Sequence, residues 1–269
     1  MIRTLLFAAS ILLSLYFILM AMAFYQQEKL IFFPENLPAN HVFNFEQEFE
    51  EHFIPASDGV TLHGMLFKSP TSSKGLFFYL HGNAGSVDSW GWATKTYTDL
   101  GYDIFILDYR GYGKSEGSVT SEKQFYEDAQ EVYNYVKNHY SESKIIIAGY
   151  SIGTGAAAML ASANNPQLLL LQAPYYSLSD LMKSLYPFVP SFLLKYKFTT
   201  YQYIERTRAP IVIFHGDKDE IIYPGSTEKL KRHLKPTDQV FILKGLGHNG
   251  MNESPEYKRK LAAVLQVEA

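Results

Sequence analysis

The residue with the clearest chemical signature is Ser151, in the segment Gly149-Tyr150-Ser151-Ile152-Gly153. The apolar run Ile145–Ala148 before it is typical of a buried strand, and the small residues after it begin a helical pattern. A serine in a sharp turn between strand and helix has its Oγ lifted above the sheet. Glycines two residues before and two residues after it remove side chains that would clash. This context favours a nucleophilic serine over a structural one.

A serine hydroxyl needs an imidazole within hydrogen-bond reach to act as a nucleophile, and the chain contains eight histidines. His248 lies in a glycine-rich loop after the last predicted strand, where a free backbone can bring the ring over the serine. The carboxylate that orients the imidazole is expected after the strand Ile211–Phe214, where Asp217, Asp219 and Glu220 are all available. The residues alone leave this choice open, since Asp217 could instead accept backbone N–H groups in the turn.

Acyl transfer at a serine also needs backbone N–H groups that stabilise the oxyanion. The N–H of Ile152, directly after the serine, is the first expected donor. The second is expected in the loop His81–Gly85, which follows the apolar run Leu76–Leu80; Asn83 is preferred and Ala84 is the alternative. This chemistry requires no metal or cofactor, and the His and carboxylate spacings show no zinc pattern.

Short apolar runs alternate with helical patterns along most of the chain, which predicts a doubly wound, mostly parallel α/β sheet. The turn signal Ser57-Asp58-Gly59 predicts an antiparallel hairpin at its start. The predicted hairpin strands are Phe49–Pro55 and Thr61–Phe67, and the predicted parallel strands are Leu76–Leu80, Ile104–Leu107, Ile145–Ala148, Leu168–Leu171, Ile211–Phe214 and Val240–Leu243. The predicted helices are Ser121–Tyr140, Gly153–Asn164, Ser226–Leu234 and Pro255–Val267.

One stretch interrupts the alternation. Residues 175–208 contain two prolines and many aromatic residues, and we expect a small helical cap there, over the carboxyl edge of the sheet. The apolar side chains of an insertion must bury against something, so the underside of such a cap could form a pocket for an acyl or alkyl group.

No charged residue lies between Arg3 and Glu28, and most residues of this segment are apolar. A helix of about 20 apolar residues matches the ~30 Å hydrocarbon core of a bilayer. A signal anchor over residues 1–27 is the leading interpretation. A signal peptide cleaved after Ala21-Met22-Ala23 is the alternative. The basic N-terminus is expected to stay cytoplasmic, with the rest of the chain outside the membrane. A connecting arm over residues 28–48 and a catalytic domain over residues 49–269 complete the predicted organisation.

The composition agrees with one sizeable globular domain, since 47% of the residues are hydrophobic and 19% are charged. The net charge of −3 argues against nucleic acid as a partner. Cysteine is absent, which excludes disulfides and thiolate nucleophiles.

Several short motifs follow one another along the chain. They are Asp58–Leu62, His81–Gly85, Asp108–Gly117, the Ser151 turn, His215-Gly216 with Asp219, and Gly247-His248. Over about residues 49–267 these motifs resemble, in the same order, those of the α/β-hydrolase superfamily. Together with the N-terminal anchor they resemble the membrane-anchored subfamily of bud-emergence-type and abhydrolase-domain proteins, which are similar to serine aminopeptidase-like hydrolases.

The resemblance implies the order serine, acid, histidine along the chain. Because the base must follow Ser151 in the chain, His215, His233 and His248 are the candidate bases. His233 stands in a charged run that reads as a solvated helix face, and His215 precedes the candidate acids, so His248 is favoured. The family's acid three residues after the His-Gly pair corresponds to Asp219.

The resemblance also makes Asp108 and Arg110 structural supports. One departure is that Tyr223 stands where the family often has proline, with Pro224 one residue later. The sequence thus predicts a serine hydrolase of esters or thioesters, acting through an acyl-enzyme on an acyl or lipid-like substrate. A peptidase is the alternative, with Glu205 of the cap holding a substrate amine, and a non-catalytic membrane-anchored binding protein is the third possibility.

Overall fold

The centre of the molecule is a twisted sheet, seen in a computed structural model that describes residues 1–266. Its strands and one separate short pair are, in chain order, β1 (Phe33–Pro34), β2 (Phe49–Pro55), β3 (Thr61–Phe67), β4 (Leu76–Leu80), β5 (Ala84–Gly85), β6 (Asp103–Asp108), β7 (Ile145–Tyr150), β8 (Leu168–Gln172), β9 (Ile211–Gly216) and β10 (Gln239–Leu243).

Eight of these strands form the sheet, in the order β10-β9-β8-β7-β4-β6-β3-β2. Strand β3 is antiparallel to both of its neighbours, and the other pairings are parallel. The direction of winding reverses between β7 and β4, which is the switch point where ligands bind in open α/β sheets. The predicted doubly wound, mostly parallel sheet and its antiparallel hairpin are confirmed.

The helices cover both faces of the sheet, which is why β4, β6, β7, β8 and β9 are buried along their whole length. In chain order they are α1 (Ile2–Tyr25), α2 (Gln27–Ile31), α3 (Val87–Trp90), α4 (Lys95–Thr98), α5 (Glu122–Lys137), α6 (Gly153–Ala163), α7 (Leu178–Leu185), α8 (Thr200–Arg206), α9 (Gly225–Leu230) and α10 (Pro255–Gln266). One core packs α5, α6 and α8 on one face, and a second packs α4 and α10 on the other.

The predicted bounds differ from the observed ones mainly at the ends of elements. Several parallel strands continue one or two residues past their apolar run, because buried polar side chains there find partners: Gln172 at the end of β8 accepts from the hydroxyl of Tyr97 at 3.1 Å. The helix predicted to reach Tyr140 ends at Lys137, and the one predicted to reach Leu234 becomes a 3₁₀ turn at Lys231. Val267, the last residue of the final predicted helix, lies outside the described residues.

The motif residues expected to be structural lie in buried networks. Asp108 accepts from the Val87 N–H at 2.7 Å and lies 2.7 Å from Nδ1 of His63. Arg110 binds Asp58 in the hairpin turn and Asp128 on α5. These contacts hold the hairpin and α5 against the end of β6.

The N-terminal helix α1 has 24 residues, of which Arg3 is the single charged one, and none of them is buried in the protein. At about 1.5 Å per residue it is roughly 36 Å long, enough to cross a bilayer. The segment after it is more ordered than the predicted irregular arm. Helix α2 follows at once, and β1 pairs in parallel with β5, beside the loop that ends β4.

The region predicted as a cap, about residues 175–208, contains α7, a 3₁₀ turn at Ser191–Leu193 and α8. Helix α8 packs against α6 and so lies with the body of the domain. Residues 178–193 are the part that stands beside α1 and α2.

Candidate active site

The turn between β7 and α6 holds Ser151 in a left-handed backbone conformation, with φ of 53°. Such a conformation is unfavourable for a residue with a Cβ, so it persists only where the surroundings enforce it. Its neighbours are packed tightly: a Cβ on Gly153 would lie 2.1 Å from the Leu80 carbonyl oxygen, and one on Gly149 would lie 2.7 Å from the Gly153 carbonyl oxygen. Glycine at 153 lets the turn approach the end of β4, and glycine at 149 lets the first turn of α6 pack against the end of β7.

Three predicted residues meet at this turn. Ser151 Oγ lies 3.1 Å from His248 Nε2, and His248 Nδ1 lies 2.8 Å from Asp219 Oδ2. The serine is 97 residues from the histidine in sequence, and the loops after β7, β9 and β10 bring the three side chains together at the carboxyl edge of the sheet. The Ser–His–carboxylate line has the spacing that nucleophilic catalysis needs.

The carboxyl of Asp219 is held in its ionised form. Burial raises its pKa, but hydrogen bonds from His215 and His248 outweigh that effect and lower the pKa below its usual value. Its other oxygen, Oδ1, accepts from the N–H groups of Ile221 and Ile222 at 2.9 and 2.8 Å. An ionised carboxylate only accepts hydrogen bonds, so Nδ1 of His248 carries the proton and Nε2 is free to accept from the Ser151 hydroxyl.

The other candidate carboxylates are placed differently. Asp217 accepts from the Gly245 N–H at 2.6 Å, so it ties the loop of the acid to the loop of the histidine. The backbone makes a second tie, since the Lys218 N–H donates to the Leu246 carbonyl at 2.9 Å. Glu220 is exposed to solvent.

Asn83 and Ile152, the predicted oxyanion donors, lie on the wall of the same cavity as Ser151. Neither backbone N–H donates to an acceptor within residues 1–266. The carbonyl of Gly82, in the peptide that carries the Asn83 N–H, lies 2.7 Å from Nδ1 of His81. The carbonyl of Asn83, in the next peptide, accepts from the Phe33 N–H at 2.8 Å and from the Tyr112 hydroxyl at 2.7 Å. The two bonds to the Asn83 carbonyl orient the peptide that carries the N–H of Ala84, the alternative donor. Ile152 is the N-cap of α6, and the dipole of that helix also favours negative charge.

The cavity in front of Ser151 has a volume of about 450 Å³, and we call it the catalytic cavity. Its polar end is formed by the serine, His248 and the loop after β4. Its other walls are apolar and come from helix α7 and from the arm: Leu178, Leu181, Met182, Leu185, Leu30 and Ile31. The arm residues were not predicted as part of the site, because nothing in their local pattern indicates which surface they cover.

Tyr150 is a second residue that the sequence analysis did not single out. Its hydroxyl donates to the backbone carbonyl of His248, and its ring packs edge-on against the imidazole with centroids 5.7 Å apart. The local sequence places Tyr150 inside the serine motif, but that motif accepts any residue at this position. The sequence therefore does not indicate that Tyr150 contacts the histidine loop. Tyr150 holds the histidine loop over the serine.

Glu205 and His233, two further candidates from the sequence, lie outside the catalytic cavity. Glu205 is 2.6 Å from Nδ1 of His233 and does not line the catalytic cavity. His233 is less solvated than predicted, since its side chain is 17% exposed and packs against the stacked rings of Tyr176 and Tyr201. The aromatic stretch 176–201 folds over it, which the charged run around His233 does not reveal.

Comparison with known proteins agrees with this architecture. A family model described as serine aminopeptidase, S33, matches residues 71–202. The esterase Pf2001 of Pyrococcus furiosus superimposes with a TM-score of 0.68 over 88% of this chain and 97% of its own, at 18% identity. The fold is that of the α/β-hydrolases.

Sequence relatives narrow the assignment. Protein bem46 of Schizosaccharomyces pombe is 31% identical over 231 residues, which cover 78% of this chain and 76% of that protein. The lysophosphatidylserine lipase ABHD12 of Danio rerio is 28% identical over 221 residues, covering 70% of this chain and 58% of the lipase. The chain belongs to the α/β-hydrolase superfamily, as a hydrolase with relatives of the bem46 and ABHD12 type.

Proposed function

We propose that the protein is a serine esterase, with Ser151 as nucleophile, His248 as general base and Asp219 as the residue that orients the imidazole. The observation that carries this proposal is the hydrogen-bonded line from Ser151 Oγ through His248 to Asp219, which opens into an apolar cavity. The esterase and lipase names of the relatives support cleavage of an ester.

In the proposed reaction Ser151 Oγ attacks the acyl carbon while Nε2 of His248 takes the hydroxyl proton. The N–H groups of Asn83 and Ile152 stabilise the negative charge on the former carbonyl oxygen. His248 returns the proton to the leaving oxygen or sulfur as its bond to the acyl carbon breaks. His248 then takes a proton from water, whose oxygen attacks the acyl carbon of the acyl-enzyme. His248 returns this proton to Ser151 Oγ as the bond between Oγ and the acyl carbon breaks, which releases the acid and regenerates Ser151.

A fluorophosphonate probe and p-nitrophenyl esters of increasing acyl length test this assignment. We expect the wild type to be labelled and to hydrolyse the esters, and Ser151→Ala to lose both properties while keeping its fold. Ester turnover retained in Ser151→Ala would contradict the assignment. Absence of labelling in folded wild-type protein would instead favour the non-catalytic binding protein.

The peptidase alternative is favoured by the description of the matching family model. A peptidase that binds a free amine needs a carboxylate in the substrate cavity, and Glu205 is engaged with His233 outside it. Aminoacyl p-nitroanilides in the same assay decide between the two. Hydrolysis of these amides faster than the esters would overturn the esterase proposal.

We also propose that α1 is a membrane anchor with its N-terminus in the cytoplasm and the catalytic domain, residues 49–269, outside. The supporting observations are the exposed apolar surface of α1 and the charge of Arg3 beside the terminal amine. Glu28 and Lys29 at the other end cancel and add no opposing bias.

A further inference from the structure

Two further cavities lie between the catalytic cavity and the N-terminal helix. A second cavity of about 320 Å³, here called the junction cavity, shares four lining residues with it: Leu30, Ile31, Met182 and Tyr186. A third cavity of about 380 Å³, the outer cavity, shares Met20, Phe24 and Leu193 with the junction cavity. The three form a row that leads from Ser151 to the middle of α1.

The walls of the junction cavity are apolar, with aliphatic and aromatic side chains from α1, α2 and residues 182–194. Gln27 is the single amide among the described residues that line it. Both ends of that amide are occupied, since Nε2 donates to the Leu193 carbonyl at 2.8 Å and Oε1 accepts from the Lys195 N–H at 2.9 Å. The Tyr186 hydroxyl is the other polar side-chain group among the described residues of this lining, so a hydrocarbon chain fits it better than a polar ligand does.

The row of cavities reaches the level of the membrane. The hydroxyl of Tyr16 donates to the Phe188 carbonyl at 2.9 Å, and Tyr16 lies nine residues before the end of α1 at Tyr25. At 1.5 Å per residue this is about 14 Å along the helix, close to half of the hydrocarbon core. The segment after α7 therefore stands beside the membrane-spanning part of α1.

Exposed aromatic side chains on the same segment point to contact with lipid. Phe188 and Phe192 are 83% and 81% exposed, which is unfavourable for phenyl rings in water and favourable in a leaflet. The segment is fixed to the anchor near the membrane surface by an ion pair, with Lys195 Nζ 3.2 Å from Glu28 Oε1.

We propose that this row of cavities is a lateral entry path for the acyl chain of a membrane lipid ester. The chain leaves the bilayer between α1 and residues 182–194 and crosses the junction cavity, which brings the ester to Ser151. Along this path the methylene groups stay in apolar surroundings, so the lipid does not have to expose them to water. The proposal rests on the proposed esterase function and names its substrate class, a long-chain ester resident in the bilayer.

The test fills the junction cavity without touching the catalytic one. Ala23 and Val189 line the junction cavity from α1 and from the cap, and neither lines the catalytic cavity. Ala23→Trp and Val189→Trp are made in the full chain and reconstituted in vesicles of uncleavable diether phosphatidylcholine. The control is Met22→Trp, which adds the same ring on an exposed position of α1 that lines none of the three cavities.

Each variant is assayed with 4-methylumbelliferyl palmitate in the vesicles and with 4-methylumbelliferyl acetate from water. We expect the two cavity variants to lose about tenfold or more in palmitate turnover while acetate turnover changes less than about twofold. The control should hydrolyse both esters like the wild type. Labelling by a small fluorophosphonate at the wild-type rate checks that the variants fold and keep an intact Ser151.

Palmitate turnover that stays at the wild-type level in both cavity variants would overturn the entry path. An equal loss with both esters would also overturn it, because the effect would then lie at Ser151 and not along the acyl chain. Failure of the esterase function itself has a separate signature, since the wild type would then hydrolyse neither ester.

Discussion

At the scale of single residues, the carboxylate of Asp219 contacts two histidines, and the surroundings of these two histidines differ. His248 reaches toward Ser151, whereas His215 is buried, with Nε2 2.8 Å from the Ile222 carbonyl and Nδ1 2.7 Å from Thr227 Oγ1. The Ile222 carbonyl can only accept, so Nε2 of His215 carries the proton. His215 therefore supports the acid loop, with Nε2 3.3 Å from Asp219 Oδ2.

The lowered pKa of Asp219 predicts a dependence of stability on pH. The carboxyl binds its proton less readily in the folded chain than in the unfolded one, so it stabilises the fold above about pH 4 and loses this contribution as the pH falls further. We expect the difference in free energy of unfolding between wild type and Asp219→Asn to shrink between pH 6 and pH 3, measured with urea in detergent. A constant difference over this range would contradict the ionised, hydrogen-bonded state of Asp219.

The same substitution should reduce ester turnover by roughly 10³- to 10⁴-fold, because the amide no longer enforces the required tautomer of His248. Asp217→Asn serves as the matched control. Its side-chain oxygen still accepts from the Gly245 N–H, and we expect its turnover to remain near that of the wild type.

The strain at Ser151 predicts a difference between two inactive variants. Glycine adopts φ of 53° without penalty and alanine does not, so Ser151→Gly should be more stable than Ser151→Ala by about 1 kcal/mol. Thermal unfolding of both variants in the same detergent measures this difference. Equal stability would mean that the turn is not strained.

At the scale of elements, the short strand β1 supports the predicted oxyanion loop from outside the main sheet. The Phe33 N–H donates to the Asn83 carbonyl, and the Tyr112 hydroxyl donates to the same oxygen. The arm therefore contributes to the orientation of the loop as well as to the wall of the catalytic cavity.

Phe33→Pro removes this N–H, whereas Phe33→Ala keeps it and removes only a half-exposed ring. We expect kcat for a short p-nitrophenyl ester to fall about tenfold in Phe33→Pro relative to Phe33→Ala, since the Asn83 carbonyl loses one of the two bonds that hold the oxyanion loop in place. KM should change little, because the side chain does not line the catalytic cavity. Equal kcat values in the two variants would show that β1 has no part in positioning the loop.

At the scale of the whole molecule, the anchor and the catalytic domain make specific contacts. Tyr16, Gln27 and Glu28 all bond to residues of the segment 188–196. With α1 as the proposed membrane anchor, these contacts set which side of the domain faces the bilayer, and the row of cavities lies against α1. These contacts do not determine on which side of the membrane the catalytic domain lies.

The absence of cysteine makes this orientation measurable with one substitution. Lys123 is on α5, with a side chain that is 83% exposed. We expect Lys123→Cys to react with a membrane-impermeant maleimide in intact cells, because the proposed orientation puts the domain outside. The unsubstituted chain, which has no thiol, is the control. Labelling only after permeabilisation would reverse the proposed orientation.

The sequence by itself determined the sheet, the turn around Ser151 and the histidine loop. These are local features: a run such as Leu76–Leu80 can only be stable when buried, and the glycines around Ser151 mark a turn that other residues would block. Such patterns can be recognised in the sequence without knowing which residues lie nearby in space. The eight strands of the main sheet could therefore be predicted to within one or two residues, whereas the short pair β1 and β5 was not predicted.

Only the tertiary structure decided which carboxylate meets the imidazole. Asp217 and Asp219 lie two residues apart in the same loop, and their roles differ because one side chain turns toward the Gly245 N–H and the other toward His248. The sequence pattern also did not reveal three other features. These are the contribution of the arm to the site, the pairing of Glu205 with His233 and the row of cavities beside α1. Each depends on contacts between segments far apart in sequence, and the local pattern of neither segment specifies the other.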